Sequence, residues 1–163
     1  MNDSALTHST FTLERTYGSA SPARVFAAFA DGAIKRRWHA EGHGSNVLEY
    51  KSDFRVGGQE KTRFAFTGGP PGAPPPGTLI GNDTTYLDIV PNERIVFAYV
   101  MTVGDYRMSA SLATVTLHPA GSGGTKLVFT EQGTYFDRSD GAKMREGGWT
   151  ELLEKLENEL TQK

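Results

Sequence analysis

The sequence predicts an α+β domain in which a curved antiparallel sheet wraps around one long C-terminal helix. Three observations carry that expectation. Six segments of alternating apolar and polar residues follow one another from residue 47 to residue 133, joined by turn signals such as PNE, VGDY and GSGG. The segment from about Asp140 onward has helical periodicity: at about 100° per residue, Trp149, Leu152, Leu153, Leu156 and Leu160 share one face, with Glu and Lys opposite. An antiparallel sheet of this kind needs one face covered, and that helix is the only long amphipathic element present to cover it.

The elements follow in order. Residues 1–9 are small and polar and read as a flexible tail, with a single domain over residues 10–163. FTLERTY, from Phe11 to Tyr17, alternates as an edge strand. Ser21-Pro22 opens a short helix with serine as N-cap and proline at the first helical position. Val25, Phe26 and Phe29 form its stripe, Asp31-Gly32 breaks it, and AIKRRWH is a second helical piece. In VLEYKSDF, Leu48, Tyr50 and Phe54 are expected on one face and Glu49, Lys51 and Asp53 on the other. QEKTRFAFT returns after the VGG turn with Phe64 and Phe66 on the apolar side. Residues 68–77, GGPPGAPPPG, have neither helix nor strand potential and form a long loop or flap. TLIGNDTTYLDIV, RIVFAYVM, MSASLATVTLH and TKLVFTEQG complete the sheet. A bulge is expected near Tyr86, because Tyr86 and Leu87–Ile89 favour opposite faces.

This order of elements is a helix-grip layout. The sequence resembles the START/Bet v 1-like (SRPBCC) superfamily, in the branch of the C-terminal domain of the Aha-type activator of the heat-shock-protein-90 ATPase. The resemblance runs from Phe11 to Leu160. It is carried by SPARVFAAFAD with the tryptophan of KRRWH, by DFRVGG, by YLDIVPNERIVFAY, by TKLVFTEQG and by GWTELLEKLENEL. It implies a cavity between sheet and helix that takes an apolar small molecule. It does not select a function, since the superfamily spans lipid carriers, hormone receptors, polyketide cyclases, ring-hydroxylase subunits and chaperone activators. The proline-rich loop is long for that branch, and the absence of a preceding chaperone-binding domain argues against an Aha-type co-chaperone role.

Composition narrows the classes. The 163 residues fit one domain, the net charge is −2, and no basic stripe or polybasic run marks a nucleic-acid or membrane partner. No cysteine is present, so thiolate chemistry and disulfides are excluded. The N-terminus lacks the layout of a signal peptide and no apolar run reaches membrane-spanning length, so a cytoplasmic location is expected.

Strand parity places the candidate site. Pairing about GSGG sets Leu117 opposite Leu127, Val115 opposite Phe129 and Ala113 opposite Glu131, which turns Glu131 inward. One hairpin back, Ile95, Phe97, Tyr99 and Met101 meet Ser109, Ser111 and Ala113; large aromatics facing small residues leave volume. Extending the helix backwards from Trp149 puts Arg145 on the core face, near Glu131. Gly148 then flanks that face and Gly147 points outward. Two glycines in a helix cost about 1 kcal/mol each relative to alanine. They are expected to bring the helix close to the sheet or to leave room for a ligand, unless residues 141–147 are loop.

The leading expectation is a binding module for a small, largely apolar or aromatic molecule. Trp38, Phe64, Phe66, Phe97, Tyr99, Trp149 and Leu152 supply walls, Gly148 thins one of them, and Ser111, Glu131 and Arg145 supply polar contacts. The alternatives are a cyclase- or hydrolase-type enzyme using Glu131 as acid/base, and an interaction protein for a chaperone or other partner. HAEGH spaces His39 and His43 four apart, but Gly42 and Gly44 oppose a helix, so these read as solvated loop histidines with no metal. Asp53 and Arg55 read as a surface ion pair. No nucleophile–base pair or nucleotide fingerprint implies a cofactor.

Overall fold

A computed structural model describes residues 6–162. Seven antiparallel strands form one open sheet in the order β1-β7-β6-β5-β4-β3-β2. They are β1 (Thr7–Tyr17), β2 (Ser45–Ser52), β3 (Gln59–Phe66), β4 (Leu79–Val90), β5 (Arg94–Val103), β6 (Tyr106–Ala120) and β7 (Gly124–Tyr135). The helical elements are α1 (Pro22–Ala30), α2 (Gly32–Lys35), a π-helical turn (Arg36–Ala40) and α3 (Ala142–Thr161). The predicted helix-grip fold is therefore present, with α3 lying against the π turn, β1 and α1.

Local chemistry accounts for the boundaries. Ser21 caps α1 through the Arg24 amide, and Asp31 ends α1 and caps α2 by accepting from the amides of Ala33 and Ile34. The register of β5, β6 and β7 is the one that parity implies: Leu117 faces Leu127, Ala113 faces Glu131, and Tyr99 faces Ser111. The bulge on β4 falls between Tyr86 and Asp88. At the far end of α3, the Arg24 guanidinium donates to the carbonyls of Leu160 (2.9 Å) and Gln162 (3.2 Å), satisfying acceptors the helix leaves open.

Three expectations need correction. The first strand begins at Thr7, so residues 7–9 of the expected tail pair with β7, while residues 1–5 lie outside the described residues. Leu48 is 59% exposed rather than inward, because β2 changes register between Val47 and Glu49. Phe54 lies past the end of β2 but still packs inward, edge-on to Phe26 and Tyr86. Residues 68–77 close the β3–β4 hairpin as a loop with its own hydrogen bonds, among them Ala73 to the Pro70 carbonyl (3.0 Å) and Gly77 to the Phe66 carbonyl (2.6 Å).

A buried ion pair joins the helical layer to the sheet. Lys35, 3% exposed, donates to both oxygens of Glu60 on β3 (2.8 and 2.9 Å) and to the Tyr86 hydroxyl (3.1 Å). Glu60 also accepts from Tyr86 (2.7 Å), Ser52 (3.1 Å) and Tyr50 (3.2 Å). Burial alone would push the Glu60 carboxyl up, but the Lys35 charge, with hydrogen bonds from Lys35 and Tyr86, holds it down at about 2. A depressed carboxyl stabilises the fold above its unfolded value of 4.5 and loses that contribution as pH falls towards 2. This group is expected to remove on the order of 3 kcal/mol of stability over that window. Glu60→Gln should cost about 3–5 kcal/mol at neutral pH and flatten the acid limb. Urea unfolding across pH checks both, and superimposable acid limbs for the two proteins would contradict the assignment.

Candidate functional site

Under the first turns of α3 lies a second buried polar cluster. Glu131 on β7 is 0% exposed. It accepts from the Tyr99 hydroxyl on β5, from the Trp149 indole N–H (3.1 Å), and from Ser111 and Tyr135 (3.4 Å each). Arg145 completes the set, 3.8 Å from the carboxylate. Its guanidinium donates to Ser109 (2.7 Å), to both Asp140 oxygens (3.0 and 3.2 Å), and to Tyr99 (3.2 Å). It also lies over the rings of Tyr99 and Tyr135. Burial pushes the Glu131 carboxyl upward, against the hydrogen bond from Tyr99 and the charge of Arg145. Burial opposes the Arg145 charge too, but Tyr99, Asp140 and Glu131 outweigh it and keep the guanidinium protonated.

Beside this cluster is a partly open cavity of about 260 Å³ between the sheet and α3. Phe64 of β3, Ile80 of β4 and Met101 of β5 form its sheet wall, and Met144, Gly148, Trp149 and Leu152 its helix wall. His39, at the end of the π turn, and His43 close a third side. Tyr99 and Arg145 bring the edge of the polar cluster to its floor, while Asn82, Ser45, Asp140 and Glu151 add polar atoms around it.

The proposed wall residues divide between cavity and core. Phe64, Tyr99, Arg145, Gly148, Trp149 and Leu152 line the cavity. Trp38 does not: it is buried with its indole N–H on the Ala28 carbonyl (2.8 Å) and its ring edge-on to Phe29, holding the π turn to α1. Phe97 is core, between Tyr86, Tyr99 and Trp149. The Phe66 ring lies against the proline-rich loop at Gly69, and none of residues 68–77 lines the cavity. Ser111 and Glu131 sit behind Tyr99 and Trp149 rather than on the cavity surface. An acid/base role for Glu131 is not supported by this geometry, because its oxygens are occupied and face no open space.

The two glycines also resolve. Helix α3 is continuous from Ala142, so residues 142–147 are helix and not loop. No neighbouring atom lies within 4 Å of a Cβ built on Gly147 or Gly148, which excludes close approach to the sheet as their reason. Gly148 instead faces the cavity, where a side chain would enter open space.

Several lining residues were missed by sequence reasoning. Ile80, Asn82 and Met101 were accessible from register, since Phe64 pairs with Ile80 and Asn82 with Met101. Met144 and Glu151 each sit one turn from Gly148, four residues before it and three after, on the same side of α3. His39 had no such signal, and its reading as a solvated loop residue is corrected. It belongs to the π turn, its Nδ1 is buried without a partner, and burial, then the charges of Lys35 and His43, lower its pKa to about 3. His43 is half-buried beside Lys155, whose ammonium donates to the carbonyls of Glu41 and Gly42 (2.9 and 2.7 Å). Asp53 and Arg55 form the expected exposed ion pair at 2.8 Å. Among the described residues no three His, Cys, Asp or Glu side chains gather as a metal site, and no helix is long and apolar enough to cross a membrane.

A seven-stranded antiparallel sheet gripping a long C-terminal helix, with a cavity between them, defines a protein of the START/Bet v 1-like class. Within it, the chain belongs to the family described as Activator of Hsp90 ATPase homolog 1-like protein, which matches residues 19–161. It is similar in structure to the Mll3558 protein of Rhizobium loti, with 51% identity and a TM-score of 0.82 over 96% of this chain and 99% of that one. It is also similar to a putative uncharacterized protein of Rhizobium leguminosarum, at 40% identity and a TM-score of 0.85 over 96% and 97% of the two chains. The CV1439 protein of Chromobacterium violaceum shares 29% identity and a TM-score of 0.72, over 94% and 98%. No curated protein matches the chain.

The polar cluster and the glycines make opposite demands on stability. Glu131→Gln places an amide among donors and should cost about 1–3 kcal/mol. Gly147→Ala touches nothing and should raise stability by about 0.5–1 kcal/mol. Urea unfolding at neutral pH reads both. A Gly147→Ala protein less stable than the parent, or a Glu131→Gln protein within about 0.5 kcal/mol of it, would contradict this account.

Proposed function

We propose that the chain binds a small, largely apolar or aromatic molecule in the cavity between sheet and α3. The observation that carries this reading is the contrast between the two sides of the site. The polar groups behind it are already paired with one another, whereas Phe64, Ile80, Met101 and Leu152 present apolar surface to unfilled space. Removing that surface from water is worth about 25 cal/mol per Å² to a ligand that covers it. The anchored walls mean that little ordering entropy is lost on binding. Gly148 fits the same reading: its cost to the helix is repaid only if the space it leaves is used.

The test is native mass spectrometry of freshly purified protein, followed by extraction of any passenger. A small apolar passenger is expected on the parent protein. Gly148→Leu fills the cavity from the helix side and should lower occupancy at least about tenfold, since overfilling a packed site costs about 1–3 kcal/mol. Gly147→Ala, on the outer side, should leave occupancy unchanged. A passenger retained equally by the Gly148→Leu protein would place binding elsewhere and overturn the proposal.

A further inference from the structure

We propose that His39 is the polar anchor of this cavity and that the ligand is an uncharged two-ring aromatic carrying one hydroxyl or N–H group. The inference rests on the cavity reading above and adds to it the ligand's size, charge and polar group.

The first support is the state of the imidazole. Among the described residues neither nitrogen of His39 has a hydrogen-bond partner: Nδ1 is buried, while Nε2 keeps accessible surface on a residue that lines the cavity. Nδ1 offers a guest no surface, so a molecule in the cavity meets the imidazole at Nε2. The ring is nonetheless firmly placed, edge-on to Trp38 at 5.4 Å and tilted against Trp149 at 5.8 Å. It projects from a π-helical turn, a geometry that recurs at functional sites. The polar side chains on the cavity floor are engaged: Tyr99 with Glu131, and Arg145 with Ser109 and Asp140. His39 therefore keeps hydrogen-bonding capacity for a ligand, on a ring that its aromatic neighbours hold in place.

The second support is charge. Arg145 is the only cation on the floor among the described residues, and the carboxylates of Glu131 and Asp140 both pair with it. Next to His43, Lys155 is held by two backbone carbonyls and lies within the field of the Glu151 carboxylate. An anionic ligand would find a surplus of carboxylate and no free cation. A neutral imidazole, by contrast, accepts from an O–H or N–H at one nitrogen and donates from the other.

The third support is size. An apolar cavity of about 150 Å³ is enough to hold benzene. The 260 Å³ here leaves room for a second fused ring, flanked by Trp149, Tyr99 and Phe64.

Three probes of one shape separate the claims: naphthalene, 2-naphthol and 2-naphthoate, titrated by calorimetry at neutral pH. The parent protein should bind 2-naphthol about 3- to 10-fold more tightly than naphthalene, the effect of one net hydrogen bond. It should bind 2-naphthoate at least about tenfold more weakly than 2-naphthol. In His39→Phe the preference for 2-naphthol over naphthalene should vanish while naphthalene still binds. A readout that needs no variant is the ¹⁵N spectrum of the imidazoles, in which 2-naphthol, and not naphthalene, should move the His39 signals. Equal binding of naphthalene and 2-naphthol by the parent would overturn the role of His39 and leave the cavity reading standing. Tightest binding of 2-naphthoate would overturn the charge assignment. Binding of none of the three would overturn both this inference and the cavity reading.

Discussion

Glu131 is a carboxylate with no access to water, and the fold around it is arranged to supply the donors that such a group requires. They come from four elements. Tyr99 is on β5, Ser111 on β6, Tyr135 on β7 itself, and Trp149 and Arg145 are on α3. Because two of these groups belong to the helix, the carboxylate fixes the rotation of α3 as well as its position on the sheet. Trp149 then lies face-near to Phe129, with ring centroids 4.1 Å apart, and Leu153, Leu156 and Leu160 follow into the core. The opposite flank of the same helix, with Gly148 and Leu152, is left facing the cavity.

The Lys35–Glu60 pair does the equivalent work on the other side. It ties the short helices to β3, and the π turn that follows carries His39 to the cavity while Trp38 turns the other way into the core. The cavity thus lies against the edge of the Glu131 cluster, while the Lys35–Glu60 cluster stays off its surface and anchors the turn that carries His39; both clusters satisfy their partners internally. That arrangement favours recognition by shape and apolar contact, with few polar groups left to select an orientation. It also explains why the most conspicuous carboxylate in the core is structural: a group that accepts from four side chains and lies against a guanidinium has no capacity left for proton transfer to a ligand.

Much of this was legible from residue order. Turn signals set the registers of β5, β6 and β7, and once GSGG is a hairpin turn, period-two alternation alone turns Glu131 inward. Helical periodicity then brings Arg145 beneath the same carboxylate. What escaped was decided by tertiary context. Glu60 shares its face with Phe64, yet its partner Lys35 belongs to a charged helical segment, and nothing local indicates that a lysine there is buried. The π turn shifts helical phase by one residue, so the HAEGH spacing could not show which side His39 takes. Leu48 was misplaced because a bulge reverses the alternation that an unbroken strand would keep. Ser111 was placed correctly by parity, but parity cannot tell the cavity surface from the layer behind it.

The central claim is that an apolar guest enters between β3–β5 and α3 and nowhere else. Methionine methyl groups report on it directly, since Met101 and Met144 line the cavity and Met108 is buried outside it. With ¹³C-methyl methionine and naphthalene as the guest, the account predicts saturable shifts of the Met101 and Met144 signals and an unmoved Met108. Shifts confined to Met108, or none at saturating naphthalene, would contradict it.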